Sequence, residues 1–336
     1  MGKPIKLHQM TVLCYHLNHP DPYFNLATEE YLLKNFEDDI FMLWSSESSI
    51  VVGKHQNALA EINHRYVKEN RIKVARRLSG GGTVFHDPGN LNFTFMRKVE
   101  KIEEINYRIF LQPVKEALEK LGLEVSSSKR DDLIVDGKKI SGNAQHVYRK
   151  RVLHHGTLLF NSQLKKLKNA LKVDLSRFEH KAVQSNRSEV TNIADHLRAP
   201  MTVREFSNFM FETIAKNFAD YRVMELTDAD KQAIQVLRDE KYSQWEWIYG
   251  YSPKYTYRNT IDTAKGKLNV ALQIAKGKIV QSDWEGPISE KLSFKLKELL
   301  QGKNHAYEEL EPVFSLLEAQ LKQEDISAKE LLDQLL

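Results

Sequence analysis

The chain turns on Ala75 to Phe95, A-R-R-L-S-G-G-G-T-V-F-H-D-P-G-N-L-N-F-T-F. Three consecutive glycines, Gly80, Gly81 and Gly82, separate an arginine pair from a run that alternates like a strand. Glycine has no Cβ, so successive amides can turn inward and approach an anion closely. Arg76 and Arg77 stand just before the loop, and a guanidinium is shaped for a bidentate grip on phosphate or carboxylate. Beyond it, Thr83 to His86 is extended and Asp87-Pro88-Gly89-Asn90 reads as a turn. Leu91 to Phe95 then alternates apolar and polar, as a half-buried strand does. The stretch predicts a hairpin entered through a glycine-rich, arginine-flanked anion cradle. A glycine triplet alone is as often a mobile surface turn; the arginines and the flanking strands favour a site.

Upstream, Met10 to Leu17 reads as a strand, and Asp21-Pro22 as a helix N-cap with proline at the first helical position. That helix runs through Asn25 to Leu33. Strands Ile40 to Trp44 and Ser49 to Gly53 follow, then a polar loop, Gly53-Lys54-His55-Gln56-Asn57, and a helix over Ile62 to Glu69. Downstream, Leu111, Val114, Leu118 and Leu121 recur at helical spacing with Gly122 as the stop; Pro113 should kink this helix or sit in its first turn.

At 336 residues the chain exceeds one typical domain, so a large domain over 1–222 and a smaller one over 223–336 are expected. Hydrophobic content of 41% and charged content of 28% suit a globular protein with a core. A net charge of +4 is far short of a dedicated nucleic-acid binder. One cysteine, Cys14, rules out an intramolecular disulfide or a cysteine-rich metal site. No apolar run is long enough to span a membrane, and Met1-Gly2-Lys3-Pro4 lacks a signal-peptide core, so a reduced, cytoplasmic protein is expected.

Asp131 to Gln145, D-D-L-I-V-D-G-K-K-I-S-G-N-A-Q, carries the second signal. Asp136-Gly137 between apolar strands is a strong two-residue hairpin signal. It would pair Val135 with Lys138, Ile134 with Lys139, Leu133 with Ile140 and Asp132 with Ser141. One face then holds Leu133, Val135 and Ile140, and the other sets Lys139 beside Asp132 and Ser141. On a solvent-facing hairpin that cluster would be decoration. Arg151 to Phe160 is a further strand, in which His154 and His155 must point to opposite faces. They cannot share a metal, and one of them should simply be packed.

Lys165, Lys166, Lys168, Lys172, Arg177, Lys181 and Arg187 make a basic stretch, read mostly as a solvated face and alternatively as a docking surface for an acidic protein. Thr202 and Glu205 form a capping box for a helix with Val203, Phe206, Met210, Ile214 and Phe218 on one stripe. Past residue 222, Asp228 or Asp230 caps a short helix and aromatic residues cluster from Tyr242 to Tyr257. Leu268, Val270, Leu272 and Ile274 alternate and turn at Lys276-Gly277 into a strand with Ile279. Ile288 to Leu300, Tyr307 to Lys322 and Ser327 to Leu336 read as helices.

R-R-L-S-G-G-G-T-V-F-H-D, D-D-L-I-V-D-G-K-K-I-S-G-N-A-Q and H-H-G-T-L-L-F-N together resemble the lipoate–protein ligase family in order and spacing. N-L-A-T-E-E-Y-L-L at Asn25 to Leu33 and V-V-G-K-H-Q-N at Val51 to Asn57 fit too, and Trp245 to Pro287 resembles the family's accessory C-terminal domain. The resemblance implies an α+β fold, its large domain a mixed, mostly antiparallel sheet flanked by helices. It implies ATP, Mg²⁺ and lipoate or octanoate as reactants and no tightly bound prosthetic group. Lipoyl-adenylate would form with release of pyrophosphate, and the acyl group would pass to a lysine of an acceptor: an E2 lipoyl domain of a 2-oxoacid dehydrogenase or the glycine-cleavage H protein. Neither nucleic acid nor membrane is implied as a partner.

By the same resemblance, Arg77, Ser79, Gly80, Gly81, Gly82, Thr83, Val84, Phe85 and Lys139 bind the nucleotide. Arg77, His86, Lys139, Ser141, Gly142, His155 and Thr157 meet lipoate, Asp132 holds the metal, and Lys139 is the catalytic lysine. Val84, Phe85 and Leu159 would suit a fatty chain. Two rival readings stand beside it: an ATP-independent octanoyl or lipoyl transferase, which needs a cysteine nucleophile, and a non-catalytic homologue that binds lipoate or an acceptor.

Overall fold

The computed structural model describes residues 11–99, 105–171, 173–186 and 188–336. Met1 to Pro4, Met10, Lys172 and Arg187, named above, lie outside them. Val12–Asn18 forms β1, and helix α1 (Pro22–Asn35) starts where Asp21 accepts from the Tyr23 amide and Pro22 fills the first position. β2 (Asp39–Ser45), β3 (Ser49–Val52), α2 (His64–Glu69) and β4 (Lys73–Arg76) follow. β5 (Val84–His86) and β6 (Asn90–Lys98) flank the turn at Asp87. In α3 (Tyr107–Lys120), Pro113 lies in the second turn rather than the first.

β7 (Ser126–Ser127), β8 (Leu133–Val135) and β9 (Lys138–Ser141) make a small sheet, and β10 (Asn143–Tyr148) and β11 (Arg151–Leu159) pair beside it. α4 (Leu164–Ala170) and β12 (Phe178–His180) carry part of the basic stretch. The Thr202–Glu205 capping box starts α5 (Val203–Ala215), which buries Phe206, Met210 and Ile214. β13 (Tyr221–Met224) and α6 (Asp228–Leu237) come next; the cap of α6 is Thr227, with Asp230 as its reciprocal partner, so neither aspartate is itself the cap. β14 (Tyr255–Thr263), β15 (Gly266–Ala275) and β16 (Lys278–Glu285) precede α7 (Glu290–Leu300). The expected helix Tyr307 to Lys322 is two helices, α8 (Tyr307–Leu316) and α9 (Glu318–Gln323), meeting at Leu317; α10 (Ala328–Asp333) ends the chain.

The central sheet runs β10-β11-β6-β2-β1-β13. Its first four strands are antiparallel neighbours, and β2, β1 and β13 are parallel. Alternation sends Phe41, Leu43, Phe93 and Phe95 to one face, into a core with α3 and α5. It sends Met42 and Trp44 to the other, toward Leu26, Leu32 and Leu33 of α1. A second sheet, β4-β3-β5, shares its core residues Ile50, Val52 and Phe85 with the C-terminal sheet β12-β14-β15-β16 and the helices behind it. The architecture is the expected α+β one with mixed sheets.

Two strand pairings differ from expectation. β5 and β6 do not pair: β5 bonds β3 in one sheet and β6 bonds β11 and β2 in another. The Asp87 turn, closed by Asp87 Oδ1 accepting from the Gly89 amide at 2.9 Å, is thus a crossover between sheets. In the β8–β9 hairpin, Val135 and Ile134 pair with Lys138 and Lys139 as expected, but a bulge then sets Leu133 opposite Ser141. Ile140 becomes the extra residue and stays fully buried. Asp136 and Gly137, with φ of 48° and 75°, supply the two left-handed residues of the tight turn.

Candidate active site

Val51, Arg77, Val84, His86, Asn92, Lys139 and His155 come from five strands and the glycine loop to line one open cavity. The loop wall is set by strand alternation at the end of β4. Arg77 turns toward the loop: its guanidinium donates to the carbonyls of Gly80 and Gly82, both at 2.7 Å, to Val51 O at 3.0 Å and to Ser79 Oγ at 2.9 Å. Gly81 has φ +87°, a left-handed conformation that a side chain would strain. Arg76 turns the other way and is fully buried. It donates to the carbonyls of Gly53, Lys54 and Gln56 and to Trp247 O, Ile248 O and Ser252 Oγ. The arginine pair is therefore scaffolding for the loop: Arg76 faces away from the cavity, and Arg77 borders it with its donors already engaged. Burial lowers both guanidiniums to about 10, still charged at neutral pH.

Lys139 stands on the opposite wall. The bulged hairpin places its Nζ 2.9 Å from Asp132 Oδ1, with both side chains partly exposed to the cavity. Gly142 makes room for it: a Cβ there would fall 2.8 Å from Lys139 Nζ. The Lys139 amide donates to Glu189 O and its carbonyl accepts from the Thr191 amide, which ties the hairpin to the segment carrying Ser185, Asn186 and Ser188 into the rim. Ser185 Oγ accepts from the Thr83 amide at 2.8 Å and so fixes that segment to the glycine loop.

The floor is the α1 side of the central sheet. His155 Nδ1 lies 2.9 and 3.0 Å from the two oxygens of Glu29, and its Nε2 lies 2.6 Å from Ser79 Oγ. Thr94 Oγ1 donates to Glu29 at 2.6 Å and Trp44 Nε1 donates to Thr94 at 3.1 Å. With its proton on Nδ1, His155 bridges the buried carboxylate and the serine. His86 is held neutral: burial first, then the charge of Arg77, lowers it to about 3. His154 points to the other face, stacked on Phe110 and Phe93 in the core, and is lowered by burial to about 3. It is the packed member of the pair.

Of the residues expected at the site, Arg77, Gly81, Gly82, Thr83, Val84, His86, Asp132, Lys139, Gly142, His155 and Thr157 line the cavity. Ser79 and Gly80 lie behind the lining, and Ser141 is fully buried with its Oγ unpartnered. Phe85 is corrected, because alternation on β5 sends it into the core with Ile50 and Val52, and Leu159 is buried without being among the lining residues. Leu26, Trp44, Val51 and Ala144 supply the apolar lining instead. Glu29 was not singled out, although a carboxylate inside an otherwise apolar helix stretch is a signal of a buried polar partner.

A model of the lipoyl protein ligase A/B catalytic domain matches residues 21–215, and one of the bacterial lipoate protein ligase C-terminus matches residues 252–335. Lipoate-protein ligase LplJ of Bacillus subtilis (strain 168) is 41% identical over 266 residues, 77% of this chain and 80% of its own. Lipoate–protein ligase 1 of Staphylococcus aureus (strain Mu50) is 40% identical over 266 residues, 78% of this chain and 80% of its own. Among solved structures, P. falciparum LipL1 in complex with lipoate is similar at a TM-score of 0.62 and 25% identity, over 90% of this chain and 94% of that one. Lipoate-protein ligase A bound with ATP is similar at 0.62 and 26% identity, over 72% of this chain and 100% of that one. With its catalytic-domain model spanning well over half of the sequence, the chain belongs to the lipoate–protein ligase family.

Proposed function

We propose that the protein activates lipoate or octanoate with ATP to the acyl-adenylate, releasing pyrophosphate, and then passes the acyl group to a lysine of an acceptor protein. The observation that carries this is the convergence, in one cavity, of a glycine loop, the Lys139–Asp132 pair and an apolar floor. That is one place for a phosphate, a reacting carboxylate and a fatty chain. The relatives named for lipoate ligation, and the similar structures bound with lipoate and with ATP, support the same reactants.

In the first half-reaction a carboxylate oxygen bonds the α-phosphorus and the bond to the pyrophosphate oxygen breaks. Lys139 would hold the carboxylate against the α-phosphate as a point charge, and the amides of Gly81 and Gly82 would meet the growing negative charge as fixed donors. The Arg77 contacts suit this role, because a loop already held costs little to organise when charge develops. In the second half-reaction the acceptor amine attacks the carbonyl and AMP leaves. Lys139 is placed to polarise that carbonyl.

The residues present fit a magnesium ion that arrives with the nucleotide, since Mg²⁺ takes one or two carboxylates and completes its shell with phosphate oxygens and water. Asp132, a carboxylate lining the cavity, would hold it, and there it would neutralise phosphate charge. No group of three or more His, Cys, Asp or Glu able to hold a resident metal lies among the described residues. No helix among them is long and apolar enough to cross a membrane, and we place the reaction in the cytoplasm.

In this reading residues 1–222 catalyse and 223–336 are accessory, with the acceptors E2 lipoyl domains or the glycine-cleavage H protein. The test is pyrophosphate release from the purified protein given ATP, Mg²⁺ and lipoate, without acceptor. Lipoate-dependent release supports adenylation; lipoate binding with no release overturns it.

A further inference from the structure

Asn92 is 2% exposed, lines the cavity, and has a side-chain amide nitrogen with no hydrogen-bond partner. An orphaned donor so deeply buried destabilises the site unless something meets it. Asn90 Nδ2 donates to Asn92 Oδ1 at 2.9 Å, and with the amides so placed Asn92 Nδ2 is the free end. Asn92 faces Trp44 on one neighbouring strand and Thr157 on the other, in register across β2, β6 and β11. Thr157 in turn is bonded to Gly142, against which Lys139 Nζ lies.

These contacts lay out a track. From the Lys139 wall it crosses Thr157, reaches Asn92 and ends at the indole of Trp44. Neighbouring strands are about 4.8 Å apart, so Asn92 lies roughly 10 Å, two strand spacings, from the hairpin edge. A carboxylate held at Lys139 would therefore bring the far end of a medium-chain acid to Asn92. The surroundings there are mostly soft: Trp44, neutral His86 5.6 Å from it centroid to centroid, and Leu26 and Val51 nearby.

Resting on the reading of this cavity as the acyl site, we propose that Asn92 is a specificity-determining residue whose Nδ2 donates to a sulfur of the dithiolane ring and so selects lipoate over the plain fatty acid. Divalent sulfur is a weak acceptor, but it is an acceptor. A methyl end is none, and it would bury the Asn92 donor unmet. A site built to donate a hydrogen bond rejects the analogue that lacks the acceptor more strongly than it rewards the one that has it.

The test is calorimetric binding of three acids to the whole protein: lipoate, octanoate, and the analogue of lipoate whose dithiolane is replaced by cyclopentane. Wild-type protein should bind lipoate at least fivefold tighter than the cyclopentyl analogue, which matches its ring size but has no sulfur. Asn92→Leu should bind these two within a factor of two and should bind octanoate more tightly than wild type does. Equal binding of lipoate and the cyclopentyl analogue by the wild-type protein overturns the proposal without need of any variant. So does a Leu variant that loses affinity for all three acids alike. Pyrophosphate release, measured in parallel, separates the two readings. A fivefold binding preference without release would sink adenylation and leave Asn92 standing; release without the preference would do the reverse.

Discussion

The glycine-loop wall of the cavity is braced from behind by two buried guanidiniums, whereas the facing wall is a three-strand hairpin sheet whose Lys139–Asp132 pair is partly open to solvent. In the first, Arg76 and Arg77 share their donors among neutral oxygens with no carboxylate partner. In the second, a lysine and an aspartate 2.9 Å apart satisfy one another until something displaces one of them. The difference divides the labour. The loop wall keeps backbone donors fixed; the hairpin wall carries charges that can change partners as a nucleotide and a carboxylate arrive.

The harshest way to break this comparison is to remove the brace. Arg76→Met would leave the carbonyls of Gly53, Lys54, Gln56, Trp247 and Ile248 buried without their shared donor. Buried groups stripped of a partner cost about 1–3 kcal/mol each. Urea unfolding should therefore show a loss on the order of 4–5 kcal/mol, near the upper end for one substitution. A loss below about 1 kcal/mol would mean that the brace is ornamental.

Lys139→Ala attacks the other wall and should behave oppositely. A partly exposed ion pair contributes only about 0–1 kcal/mol, so the unfolding midpoint should barely move. Lipoate-dependent pyrophosphate release should nevertheless fall by about 10²–10³, the usual cost of deleting a preorganised charge-stabilising donor. Normal release from the folded variant would remove Lys139 from the chemistry.

These contrasts also explain what the sequence could disclose. The Asp136-Gly137 turn is local chemistry, and it suffices to bring Lys139 and Asp132 to one wall. The bulge that makes Ile140 the extra residue is not local: it lets Ile140 reach the core while Lys139 faces the cavity. The Asp87 segment specifies a turn but not a hairpin, because a turn does not say whether its arms stay in one sheet. Arg76 and Arg77 look alike in sequence, and only the end of β4 decides which one faces the loop. Asn92 and Glu29 matter through partners far along the chain, which spacing alone cannot supply.

Acidity offers a finer probe of the buried interior on both faces of the central sheet. His86 and His154 are depressed to about 3 by burial, against about 6.5 in the unfolded chain. Below pH 6.5 the unfolded state takes up protons that the folded state refuses, so stability falls as pH drops from about 6.5 toward 3. Each histidine should contribute about 1.4 kcal/mol per pH unit within that window. The check is urea unfolding at pH 7 and pH 5 for wild type and for His154→Phe, which fills the aromatic stack without a titrating group. The variant should lose about 1–2 kcal/mol less than wild type between the two pH values. An equal loss would place the acid sensitivity elsewhere.

The smallest expected effect belongs to Cys14, which lies in β1, outside both walls. Burial pushes its thiol up to about 12, leaving roughly one thiolate in 10⁵ at pH 7. A thioester-forming transferase needs a thiolate within reach of its acyl donor, and among the described residues this fully buried sulfur has only the Val12 carbonyl, 3.9 Å away, as a polar contact. Cys14→Ser should leave both half-reactions within a factor of two of wild type. Measured side by side, adenylation and transfer give the sharper result. If transfer alone collapsed while pyrophosphate release continued, the acyl group would be travelling through sulfur after all, and the division of labour between the two walls would cover only the first half of the reaction.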